Sequence, residues 1–185
     1  MKRLFIAVPV VLSDDFQKLS ETIQQKMKRD DVVWVKPQLQ HLTLRFLGAT
    51  TDSLIDPLIS ALRELGSQNR KFELKMDKIG VFGSRYAPTT IWYGFNHFEP
   101  FKNLFDQLEP RLKEIGFEAN YGNFVPHLTV GRIKKIENKH QFTEQITQLQ
   151  PTFTQSVAID SLELIKSKLT TQGPIYKTLE VFPLQ

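Results

Sequence analysis

Two four-residue segments carry the side chains best suited to chemistry in this sequence: His41-Leu42-Thr43-Leu44 and His127-Leu128-Thr129-Val130, 86 residues apart. Each reads His-apolar-Thr-apolar within a strand-like run, so strand alternation sets His and Thr on one face and the aliphatic residues on the other. Two imidazoles facing each other across a cleft suit proton transfer in opposite directions. Near neutral pH one can be neutral and take a proton from water, while the other, protonated, gives one to a leaving oxygen. In-line displacement at phosphorus needs that arrangement, because nucleophile and leaving group lie on opposite sides of the phosphorus. The Thr43 and Thr129 hydroxyls can donate hydrogen bonds to the non-bridging oxygens, and the chemistry requires no metal or cofactor. Arg45 continues the parity of His41 and Thr43 and is expected to face the cleft. Arg132 has the wrong parity relative to Thr129, but a bulge at Gly131 would turn it inward. Either guanidinium could pair with phosphate.

Other candidates are less specific. Phe82, Tyr86 and Phe124 fall in loops or strand ends near the expected cleft and could stack on a nucleobase, with core packing the stronger reading for Phe82 and Phe124. His97 and His140 sit at helix starts and read as capping or surface residues. The absence of cysteine excludes disulfides, thiolate nucleophiles and cysteine-based zinc sites. Gly-x-Ser-x-Gly, Walker-type and His-Glu-x-x-His motifs are missing, as is an obvious carboxylate pair for glycoside hydrolysis. A net charge of +4 and a pI near 9.2 are compatible with an anionic partner such as RNA without demanding one. The basic, apolar start meets Asp14 and Asp15 too soon for a signal peptide, and no apolar run approaches a membrane span. A cytoplasmic protein is expected.

The elements that must hold these side chains can be read from apolar periodicity and stop signals. Leu4 to Val8 reads as a buried strand ended by Pro9. Ser13 caps a helix running to about Arg29, and Val32 to Val35 is strand-like. The first His-Thr strand spans about Leu39 to Leu47. Asp52 or Ser53 can cap a second helix that stops at Gly66. Phe72 to Val81 and Thr90 to Phe95 read as strands joined by a Gly83/Pro88 loop. A helix from about Glu99 to Ile115 contains Pro110, which should kink or shorten it. A strand at Phe117 to Asn120, the second His-Thr strand after Pro126, a helix from about Asn138 to Leu149 and strands at about Thr152 to Ile165 and Ile175 to Phe182 complete the chain. Helix, strand, His-Thr strand, helix, strand, strand thus occurs twice, over approximately residues 10–95 and 96–185. The expected fold is α+β. It is a single bilobed domain of two pseudo-symmetric halves, each an antiparallel sheet backed by helices, with both His-Thr strands facing one cleft.

These residues resemble the two-histidine phosphoesterases, and most closely the RNA 2′,3′-cyclic phosphodiesterases, also called 2′-5′ RNA ligases. The resemblance covers the whole chain. It rests on the paired motifs and on Arg3-Leu4-Phe5-Ile6-Ala7-Val8, Trp34-Val35-Lys36-Pro37, Arg45-Phe46-Leu47-Gly48, Pro126, Gly131-Arg132, Ser161-Leu162-Glu163-Leu164 and Gly173-Pro174-Ile175-Tyr176. It implies a metal-independent hydrolase that opens a 2′,3′-cyclic phosphate at an RNA end to a 2′-phosphate, with 2′-5′ ligation as the reverse reaction. By resemblance His41 is the proton donor, His127 the proton acceptor and Arg132 a phosphate ligand; pseudo-symmetry leaves the opposite acid–base assignment open. RNA ends or cyclic nucleotides are the expected substrates of a monomer with no obligate protein partner. The rival readings are the same chemistry on ADP-ribose cyclic phosphates or 2′-5′ oligonucleotides, and a non-catalytic module that binds RNA ends.

Overall fold

A computed structural model of the chain describes residues 1–120, 122–171 and 173–185. In it β1 (Lys2–Pro9), β3 (His41–Thr50), β8 (Ser161–Thr170) and β9 (Gly173–Pro183) form one antiparallel sheet in the order β3-β1-β8-β9. The second sheet has the order β2-β6-β5-β4-β7, from β2 (Asp31–Trp34), β6 (His127–Lys135), β5 (Ala87–Phe95), β4 (Phe72–Ser84) and β7 (Gln155–Ile159). Four helices back them: α1 (Asp14–Lys26), α2 (Ile55–Gln68), α3 (Glu99–Ile115) and α4 (Lys139–Gln148). The architecture is the α+β pair of antiparallel sheets expected from the sequence.

Neither sheet comes from one half of the chain. The β8–β9 hairpin completes the sheet of the first His-Thr strand, and the β4–β5 hairpin completes that of the second. The helices are shared out too. Helices α2 and α3 pack on the first sheet. Phe16 of α1 packs edge-on against Tyr93 of the second sheet, with ring centres 4.8 Å apart. One apolar cluster runs through both layers, from Leu4, Ile6 and Val8 of β1 to Leu128 and Val130 of β6. Strands β3 and β6 approach each other where the sheets meet, which brings the two motifs together.

Helix ends obey local chemistry. Ser13 caps α1, its side chain accepting from the Phe16 N–H, with Asp14 and Asp15 in the first turn where negative charge suits the helix dipole. Gly116, at φ 106°, closes α3 in the left-handed conformation that glycine adopts without strain.

Several local expectations are corrected. Phe117–Asn120 is not a strand: the Phe117 N–H donates to the Leu112 carbonyl at the end of α3, the Glu118 carbonyl accepts from Arg45 Nη2 at 2.6 Å and the Asn120 N–H donates to Glu109 Oε2 at 2.9 Å. Helix α3 continues through Pro110 to Ile115. The strand expected over Thr152–Ile165 is two, β7 and β8, which leave for different sheets at Asp160. Asp52 pairs with Lys2 at 2.8 Å and lies in a short 3₁₀ turn rather than capping α2. Gly66 lies inside α2, where an added Cβ would stand 2.7 Å from the Pro183 carbonyl oxygen. Its role is close helix-to-strand approach, not termination.

Candidate active site

The two motifs are built alike. His41 opens β3 and His127 opens β6. In each, Nδ1 lies 2.7–2.8 Å from the carbonyl oxygen two residues upstream, Leu39 for His41 and Val125 for His127. A carbonyl only accepts, so Nδ1 carries the proton in both rings and Nε2 is left as the exchangeable nitrogen. Aromatic walls fix the ring planes. Phe5 and Tyr176 lie 5.0 and 5.3 Å from the His41 ring; Phe82 and Trp92 lie 4.6 and 6.2 Å from that of His127.

Strand register then decides which side chain joins each His-Thr pair. On β6, Thr129 pairs with Trp92 and Gly131 with Ile91, so β6 spends an extra residue at Val130. This is a bulge, and it reverses the alternation so that Arg132 shares the face of His127 and Thr129. Gly131 also admits Trp34: an added Cβ would sit 2.8 Å from the indole. On β3 the equivalent step occurs at Leu44, since Ala7 pairs with Thr43 and Ile6 with Arg45. The reversal there turns Arg45 out of the cleft and Phe46 into it.

Arg45 is therefore corrected. Its Nε donates to Glu109 Oε1 at 2.6 Å, and its Nη1 and Nη2 donate to the Phe46 and Glu118 carbonyls. Its hydrogen-bonding capacity ties the Glu118 segment to α3 rather than binding phosphate. Of the candidate stacking residues, Phe82 is a wall of His127. Phe124 stacks on Phe105 of α3 with ring centres 4.3 Å apart, which is core packing. Tyr86 is exposed at the tip of the β4–β5 hairpin, where its hydroxyl accepts from Arg85. His97 and His140 are exposed.

A cavity of about 780 Å³ opens beside the motifs, and His41, Thr129 and Arg132 all line it. Burial is the main reason both imidazoles titrate below the ordinary histidine value. The hydrogen bonds to Leu39 and Val125 oppose the shift, while the positive Arg132 reinforces it at both rings and His127 reinforces it at His41. The rings thus share one electrostatic environment. Among the described residues two buried polar side-chain atoms lack a partner, Gln40 Oε1 and Trp92 Nε1. Gln40 lines the cavity and Trp92 flanks His127. Orphaned polar atoms are rare in a folded interior, and here both border the site. Neither residue stood out in the sequence, nor did Phe5, Phe46 or a role for Tyr176. Only the isolated alternation Arg3, Phe5, Ala7 could have pointed to a second functional face on β1.

A model of the LigT-like phosphoesterases matches residues 6–93 and 96–176. The chain belongs to this family. It is 32% identical over 184 residues to the RNA 2′,3′-cyclic phosphodiesterase of Methanothermobacter thermautotrophicus, spanning 98% of each chain. It is 31% identical over 179 residues to that of Thermotoga maritima, spanning 96% of this chain and 92% of that one. In fold it is similar to TT0787 of Thermus thermophilus, with a TM-score of 0.80 and 24% identity over 98% and 97% of the two chains. E. coli LigT complexed with 3′-AMP gives 0.75 and 21% over 100% and 98%. No helix among the described residues of this LigT-like phosphoesterase is long and apolar enough to cross a membrane.

Proposed function

We propose that this phosphoesterase hydrolyses 2′,3′-cyclic phosphate ends of RNA to 2′-phosphates. The observation that carries the reading is the matched pair of imidazoles, each with Nδ1 committed to a carbonyl and Nε2 left for proton exchange, beside a threonine on the same strand face. The names of the Methanothermobacter and Thermotoga relatives support the substrate. The reaction adds water across one P–O bond. His127, neutral, takes a proton from the attacking water at Nε2 as the new P–O bond forms. His41, protonated, gives its Nε2 proton to the 3′ oxygen as the P–O3′ bond breaks. Thr43 and Thr129 donate to the non-bridging oxygens, and Arg132 balances the charge that gathers on them. Burial favours the neutral ring, which suits the base; the phosphate anion, once bound, favours the protonated form of the acid. With an RNA 5′-hydroxyl in place of water as the nucleophile, the same forward steps open the cyclic phosphate to a 2′-5′ linkage. We further place the enzyme in the cytoplasm, as a monomer.

The test is incubation with RNA bearing a 2′,3′-cyclic phosphate in the presence of EDTA, with the product phosphate located. A 2′-phosphate product, with losses of about 10³-fold or more for His41→Ala and His127→Ala, is expected. A 3′-phosphate product would reverse the leaving-group assignment. Near-normal turnover by either His variant would refute the mechanism.

A further inference from the structure

The cavity extends past His41 over the face of the first sheet opposite the main core. On β1, Leu4, Ile6 and Val8 enter the main core, so Arg3, Phe5 and Ala7 occupy the other face. Arg3 pairs directly with Ser167 of β8, and Ser167 with Tyr176 of β9. Directly paired residues share a face. A guanidinium, a hydroxyl and a phenol therefore stand in one row across three strands, each about 4.8 Å from the next, and all three line the cavity. Arg3 lies two residues along β1 from Phe5, whose ring touches His41, hence roughly 7 Å further along the strand, while the Tyr176 ring reaches back to His41. That step is comparable to the one between successive backbone phosphates of a nucleic acid.

The row is electrostatically uncommitted. Among the described residues none of the three side chains has an ion-pair or hydrogen-bond partner, whereas Arg45, Arg63 and Arg111 are each engaged by a glutamate. Among the described residues no Asp or Glu lines the cavity, while Arg3, Lys36 and Arg132 all do. The positive charges of Arg3 and Arg132 both act on the Tyr176 phenol against the effect of its burial, so the row and the reacting end of the cleft lie within one field. Three donors, two of them hydroxyls, in a cavity with cations and no carboxylate match a phosphodiester. Gln40, orphaned at Oε1 beside His41, lines the same cavity.

We propose that Arg3, Ser167 and Tyr176 form a second phosphate subsite. It takes the phosphodiester on the 5′ side of the terminal ribose and so makes the enzyme prefer an RNA end over a cyclic mononucleotide. The proposal rests on the RNA-end reading above, and a binding test separates the two. Affinities of a nucleoside 2′-monophosphate and the 2′,5′-bisphosphate of the same nucleoside are measured by calorimetry for the wild type, Arg3→Gln and Arg3→Lys. The expected result is a bisphosphate advantage of about tenfold in the wild type, shrinking as salt is raised. Arg3→Gln abolishes the advantage with monophosphate affinity unchanged, and Arg3→Lys keeps part of it. No advantage in the wild type, or equal losses for both ligands in Arg3→Gln, overturns the subsite. Turnover of the 5′-hydroxyl cyclic mononucleotide by the same proteins reports on the parent reading independently, and Arg3→Gln is expected to leave it unchanged.

Discussion

The His127 wall depends on two glycines, and replacing one of them gives a test with a change of sign. Trp92 lies across Gly80, its cross-strand partner, and Gly94. A Cβ added at Gly80 would stand 2.2 Å from Trp92 Cζ2, and one at Gly94 would stand 2.4 Å from Cζ3. Ordinary contact begins near 3.4 Å, so Gly80→Ala drives the indole off the sheet by about an ångström. Phe82 lies 5.0 Å from the indole, and His127 lies 4.6 Å beyond Phe82. The displacement is passed to the imidazole and strains its hydrogen bond to Val125. Overpacking of this kind costs about 1–3 kcal/mol, or roughly 2–9 °C in Tm for a chain of this size. A misplacement of about an ångström at the reacting group costs up to roughly 10²-fold in rate.

Removing the indole removes the conflict. Gly80 is not among the positive-φ glycines, so alanine fits its backbone and restricts the unfolded chain. In a Trp92→Leu background, Gly80→Ala is expected to stabilise by about 0.4–1 kcal/mol. The assay is a double-mutant cycle in urea, with kcat/KM measured on the same proteins. Equal effects of Gly80→Ala in both backgrounds would refute the account of the wall.

Three further outcomes are expected. Both imidazoles have folded-state values below the unfolded one, so their contribution to stability is present above about pH 6.5 and is lost as pH falls towards the folded values. Urea midpoints measured from pH 8 to 5 should fall with a slope of at most about 1.4 kcal/mol per pH unit per histidine, and His41→Gln/His127→Gln should flatten that slope. Arg45→Ala breaks a pair whose side chains are 13% and 19% exposed; unfolding should show a loss of about 1.5–3 kcal/mol, with kcat/KM within about threefold, and a much larger rate loss would restore a phosphate role. Arg132→Gln should raise the titration midpoints of both rings, read by NMR in a chain with four histidines, while lowering kcat/KM by about 10–100-fold; unmoved midpoints would separate Arg132 from the site.

Much of this was legible because it depends on local chemistry. Ser13 and the apolar stripes of α1 and α3 act within a few residues of where they stand, and the His-Thr alternation needs only a strand. The errors came where a long-range partner decides. Phe117–Asn120 has strand-like residues, but the Leu112 carbonyl, Arg45 and Glu109 take its backbone bonds. Gly66 looks like a stop signal until Pro183 arrives against it. Sheet composition was the least visible feature: hairpins β4–β5 and β8–β9 each leave their own half, and no local pattern encodes which edge a hairpin will join.

The Arg45 error has a more general cause. Strict alternation assigns it to the cleft, and alternation fails at Leu44 for the reason it fails at Val130: both strands carry a bulge one residue after the threonine, 86 residues apart. Both His-Thr strands share the bulge. They do not share the residue it delivers, since β6 presents Arg132 and β3 presents Phe46. A site with two His-Thr pairs and identical third residues would treat the two sides of a phosphate alike. This one sets a cation beside His127 and, beside His41, a wall of aromatic rings from Phe5, Phe46 and Tyr176. On the proposed reading that difference separates the roles: water attacks from the charged side, and the 3′ oxygen, whose nucleoside has a base to bury and stays bonded through the 2′ oxygen, departs on the aromatic one.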